Sequence, residues 1–142
     1  MSRDAASPTR TTRAQEETIL RRRIEATIGA LPGVFVHRNE VGVAVMPSGA
    51  RVSYGVGGVG APDLLVEVIH ESSGHAICTW LEIKTPTGAV EPHQRQWHDA
   101  ARRTGRNVAV VRSEDEAAAA VAEVRVYGRL QGDVNDGGMV PP

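Results

Sequence analysis

The chain has 142 residues, 41% of them hydrophobic and 23% charged, with a formal net charge of −1. Those totals fit one soluble domain with a real core and exclude a globally basic chain, so any contact with a polyanion needs a local basic surface. The single cysteine, Cys78, excludes an internal disulfide, and its apolar neighbours give it the reading of a small core residue.

Residues 1–12 are polar and read as a flexible arm with no apolar leader segment. Thr12 and Gln15 have capping-box spacing, and Leu20, Ile24, Ile28 and Leu31 recur at helical intervals, so a helix is expected over 13–30, stopped by Pro32-Gly33. "VFVHRN" and "VGVAVMPSG" read as short strands, and "SYGVGGVGAP" as a glycine-rich loop. "DLLVEVI" and "AICTWLEIKT" are two strands joined by the turn "HESSGH", expected to pair as a hairpin. A second helix starts with Pro92 at its first position and ends at Gly105. "NVAVVRS" is apolar enough for a strand buried on both faces. Ser113 and Glu116 then cap a third helix running to about Val124. After Gly128 the composition turns to Gly, Asp, Asn and Pro, so 129–142 reads as a flexible tail. No window approaches the length of a membrane span, and a cytoplasmic location is expected. The order predicts an α/β fold, a mixed central β-sheet flanked by helices.

The basic residues number 16, and Lys84 alone among them is lysine. It stands two residues after Glu82, so both side chains leave the strand on one face while Leu81 and Ile83 leave on the other. Asp63 opens the preceding strand, and in a hairpin the start of one strand lies beside the end of the next. Asp63, Glu82 and Lys84 are therefore expected at one end of the sheet. Two juxtaposed carboxylates repel unless a cation joins them, and hard oxygen donors favour Mg²⁺ or Mn²⁺. A lysine beside such a cation can orient a water and meet charge growing on a phosphate, which a guanidinium that never deprotonates cannot do as well. Read alone, Glu82 and Lys84 fit a surface ion pair on a half-exposed strand better than a site; it is Asp63 and the lone lysine that bring the two readings level.

The wider pattern "GAPDLLVEV…WLEIKTPTGAVEPHQRQW…GRNVAVVRSEDEA" resembles the VRR-NUC (virus-type replication-repair nuclease) family of the PD-(D/E)xK superfamily. The resemblance runs over about residues 17–124. It implies a restriction-endonuclease-like core over 13–128 and a metal-dependent endonuclease acting on DNA. It further implies that Asp63 and Glu82 bind the metal with the backbone carbonyl of Ile83, and that Lys84 is the catalytic lysine. The family's acidic residue on the first helix falls at Glu17, which shares a face with Leu20, Ile24 and Ile28, whereas Glu16 turns away. Gln94 matches a position that lines the family's site. Glu91 stands before Pro92 where a small cap such as Ser is common. Standalone members are typically phage or bacterial and resemble Holliday-junction resolvases in pairing as homodimers, which implies branched or four-way junction DNA as substrate.

Other signals are weaker. "YGVGGVG" lacks the G-K-[ST] ending of a phosphate-binding loop and is read as a tight approach that lets Asp63 enter the site. The five histidines have no zinc-ligand spacing. Arg38, with Arg21-Arg22-Arg23 and Arg102, Arg103 and Arg106 on helices, are candidate phosphate contacts given a nuclease site, and otherwise solvated faces. Arg112 is expected to pair with a carboxylate, and Trp97 to anchor a helix to the sheet. The competing reading is a DNA-binding or nuclease-like subunit that nicks DNA only with a partner protein.

Overall fold

Helix α1 (Arg13–Gly29) begins where the capping box places it: the Gln15 N–H donates to Thr12 Oγ1 at 3.2 Å, and the Thr12 N–H donates to Gln15 Oε1 at 2.7 Å. This computed structural model of the chain describes residues 10–132; the outer parts of the expected arm and tail lie outside the described residues. Strands β1 (Val34–Arg38), β4 (Leu64–Ile69) and β5 (Ala76–Ile83) pair antiparallel, and β6 (Asn107–Val111) runs parallel to β5, giving the order β1-β4-β5-β6. The crossover from β5 to β6 carries α2 (Pro92–Arg103), and α3 (Glu114–Tyr127) follows β6. The expected mixed sheet flanked by helices is the observed fold.

Strand alternation assigns the two faces. Leu64, Val66, Val68, Leu81 and Ile83 join Ile24, Ile28, Val121 and Val124 in the core beneath α1 and α3. Trp80, Val108 and Ala101 form a smaller cluster with Leu65 and Trp97 under α2. Glu82 therefore leaves β5 on the Trp80 face. Helix α2 ends as the sequence suggested, with Gly105 just beyond its cap at φ +82°. Leu130 packs against the larger core and its N–H donates to Asn107 Oδ1 at 3.1 Å, so the folded body continues past Gly128.

Three sequence expectations need correction. The stretch expected as one strand, "VGVAVMPSG", is β2 (Gly42–Val45) followed by a turn, and a further strand, β3 (Arg51–Tyr54), takes its last two residues from the expected glycine-rich loop. The turn is set by Pro47: Gly49 N–H donates to Met46 O and Met46 N–H to Ala50 O, both at 2.8 Å. Four exposed residues with one apolar pair gave β3 too little pattern to detect. Second, Cys78 is exposed, because β5 is covered only from Thr79 onward. Third, the Arg112 guanidinium donates to the carbonyls of Thr85 (2.8 Å) and Gly88 (2.6 Å), tying down the loop after β5; it is the Arg112 backbone N–H that meets the Glu116 carboxylate.

Candidate active site

Four elements meet at the end of the main sheet where β5 finishes. The glycine-rich loop delivers Asp63 there under tight constraint. A Cβ on Gly60, whose φ is +92°, would sit 2.5 Å from the His93 carbonyl oxygen of α2, so this close approach requires glycine. Asn39 holds the same loop from the other side: its N–H donates to Asp63 O (2.7 Å) and its amide to Pro62 O (3.1 Å) and Val56 O (2.9 Å). Trp97 Nε1 donates to Gly57 O at 2.8 Å while its ring meets Trp80 edge to face at 5.0 Å, so it does anchor helix, loop and sheet together.

The register pairs Leu64 with Leu81, which sets Asp63 beside Glu82 and Ile83. Asp63 Oδ2 accepts the Ile83 N–H at 2.8 Å. Glu82 is 1% exposed, and neither of its buried carboxylate oxygens has a hydrogen-bond partner. Lys84, 6% exposed, holds its Nζ 3.7 Å from Glu82 Oε1, close enough for attraction but too far for a hydrogen bond. The two side chains are buried together, unlike the surface pair that they alone would allow. From α1, Glu17 is half-buried and Glu16 exposed, as the helical face required. Ala14, Glu17, Thr18 and Arg21 line one wall of a cleft of about 250 Å³ whose other wall is Asp63 and Ile83.

Loss of water governs the electrostatics. Burial, reinforced by the neighbouring Asp63 charge, pushes the Glu82 carboxyl up to about 9. Burial also raises Asp63, opposed by the Ile83 N–H and by Lys84 and Arg21. Glu17 rises for the same reason, with Asp63 adding to the rise and Lys84 and Arg21 opposing it. Three carboxyls resisting ionisation beside one ammonium form a place where a further cation would be welcome. Two buried oxygens on Glu82 with no donor, in an all-oxygen set with Asp63 and Glu17, fit a hard divalent ion by chemistry. Among the described residues, no three His, Cys, Asp or Glu side chains are drawn close enough to form a complete site unaided.

The remaining sequence candidates separate in space. Gln94 uses its side-chain oxygen to accept the Glu91 N–H at 2.9 Å, closing the first turn of α2, and is not among the cleft-lining residues. Arg38 donates to both oxygens of Glu25, at 2.9 and 2.8 Å. Arg102 lies 3.7 Å from Asp99 and donates to Val108 O, whereas Arg22, Arg23 and Arg103 are exposed. Asn39 and Thr18 escaped the sequence reading. Thr18 could have been found from its place four residues after Ala14 and three before Arg21 on one helix face; nothing local distinguishes Asn39.

The VRR-NUC domain family matches residues 11–115. A solved structure titled "VRR_NUC domain" is 27% identical, superposes with a TM-score of 0.52, and covers 75% of this chain and 95% of its own. No curated protein matches significantly. No helix among the described residues is long and apolar enough to cross a membrane. With the match spanning α1, the whole sheet and both walls of the cleft, the chain belongs to the VRR-NUC family of nuclease domains.

Proposed function

We propose that the protein is a metal-dependent endonuclease that hydrolyses DNA phosphodiester bonds, prefers branched DNA such as four-way junctions, and works as a cytoplasmic homodimer in replication, recombination or repair. The observation that carries the metal-dependent reading is Glu82: a carboxylate buried without a hydrogen-bond donor, beside Asp63, Glu17 and the chain's one lysine. Asp63, Glu82 and Glu17, with the Ile83 carbonyl, would hold Mg²⁺ or Mn²⁺. Bound there, such an ion supplies Lewis acidity toward a phosphoryl oxygen and a more acidic water. Lys84 orients the attacking water and meets the negative charge that grows on the phosphorus oxygens. The water oxygen bonds to phosphorus, one P–O bond to sugar breaks, and a phosphate monoester and a hydroxyl remain. Gln94, from the start of α2, would face the substrate through its amide nitrogen. Arg38, Arg102 and Arg103 would contact flanking phosphates.

Support for a homodimer comes from β2 and β3, which pack on no other helix or strand yet expose Val43, Val45, Met46, Val52 and Tyr54. Exposed apolar surface of that extent suits a symmetric partner. The second reading, a subunit that nicks only with a partner protein, is favoured by one fact: Glu25 ties up the Arg38 fork, leaving a chain of net charge −1 with less basic surface. Purified protein with Mg²⁺ or Mn²⁺, offered labelled junction, flap, duplex and single-stranded DNA, decides between them. Cleavage of the junction ahead of linear duplex is expected. Absence of any cleavage, with DNA still bound and metal still taken up by calorimetry, selects the partner-dependent reading.

A further inference from the structure

The arginines near the site are not equivalent, and the difference singles out one of them. Glu17, Arg21 and Glu25 follow each other at four-residue spacing on one face of α1, so Arg21 stands between two carboxylates. Glu25 is a poor partner for it. The nearest approach, Arg21 Nε to Glu25 Oε1, is 3.9 Å, and both Glu25 oxygens already accept from Arg38. Arg21 Nε is buried and makes no hydrogen bond. Its side chain, only 21% exposed, lines the cleft opposite Asp63 and Ile83. A buried cationic donor left unspent is unfavourable unless an acceptor arrives, and a planar fork of donors suits phosphate oxygens.

We infer that Arg21 is a catalytic residue whose guanidinium takes a non-bridging oxygen of the phosphodiester lying in the cleft. The inference rests on the nuclease reading and deepens it: Arg21 clamps the reacting phosphate, while the other arginines lie along its flanks. The positive charge of Arg21 also acts on Asp63 and Glu17, as expected of a group sharing their cavity. Contact with an oxygen that gains charge in the transition state places the effect of removal in kcat more than in KM.

Two measurements test this. In single-turnover and steady-state cleavage, Arg21→Ala should lower kcat about 100-fold with KM changed by less than about threefold. Arg21→Lys should recover less than about a tenth of the wild-type rate, because an ammonium cannot reproduce the fork. Arg129→Ala, an exposed arginine on the C-terminal side of α3, serves as the charge control and should match wild type. Independently of activity, the Arg21 Nε–H resonance, identified by its loss in Arg21→Lys, should shift when a dithymidine phosphodiester is added in magnesium buffer. A kcat within threefold of wild type in Arg21→Ala, or a cleft in which the Ile83 amide responds to the dinucleotide and Arg21 does not, overturns the inference. Wild type that cuts no DNA overturns the self-sufficient nuclease reading instead, and the resonance still decides Arg21. Silence at both Arg21 and Ile83 removes the cleft as a phosphodiester site and both readings with it.

Discussion

Strand β5 and the β2–β3 ribbon use similar residues and meet opposite fates. Both interleave aliphatic side chains and one aromatic with polar residues. Strand β5 has a neighbour on each edge and helices over each face, so from Thr79 to Ile83 every residue is buried. The ribbon has one partner and no covering layer, and Val45 is 66% exposed. A carboxylate on β5 therefore loses its water, resists ionisation and calls for a cation, whereas Arg51 on β3 stays hydrated. The difference in electrostatics comes from neighbours, not from the composition of the strand.

That contrast can be broken first at Lys84. Under the proposed mechanism, in which the ammonium serves the transition state, Lys84→Ala should lower cleavage at least about 1,000-fold while DNA binding holds. Lys84→Arg should be badly impaired as well, and full activity in it would show that charge alone mattered. In the core beneath α1 and α3, Leu81→Ala should cost roughly 3 kcal/mol by urea denaturation, through lost burial and the cavity left behind. A loss below about 1 kcal/mol would mean that β5 is less well covered than described.

Stability against pH probes the buried carboxyl directly. Glu82 keeps its proton in the folded state up to about 9 but releases it near 4.5 when unfolded. Its contribution is thus fully present below 4.5 and declines as pH rises toward 9. In chelating buffer, Glu82→Gln should match wild type at pH 4 and be the more stable of the two at pH 8. Adding Mg²⁺ at roughly 100 times its Kd should stabilise wild type by about 2.7 kcal/mol and leave Glu82→Gln nearly unmoved. Equal metal responses in both would place the ion elsewhere. The smallest effect belongs to the ribbon: Val45→Thr should change folding stability by less than about 0.5 kcal/mol. Light scattering should show it weakening self-association all the same. A dimer untouched by Val45→Thr and by Tyr54→Ser together would move the interface off the ribbon.

Much of this was written locally. The Thr12–Gln15 box, the Pro92 start and Gly105 stop of α2, and the β4–β5 hairpin all depend on residues a few positions apart, where sequence spacing is geometry. The same holds for the proximity of Asp63 to Glu82, because a hairpin register fixes it, and for Glu17 over Glu16, because 3.6 residues per turn fixes that. Burial and partner choice are not local. That β3 forms, that Cys78 lies in the open, that Gln94 spends its oxygen on a helix cap, and that Arg38 is held by Glu25 while Arg21 is not, all turn on which distant element arrives alongside. Sequence alone determined that Asp63, Glu82 and Lys84 would gather at the end of the sheet. Only the tertiary structure decided which of them lost water and which donors stayed unspent, because desolvation and hydrogen-bond satisfaction depend on every neighbour in space.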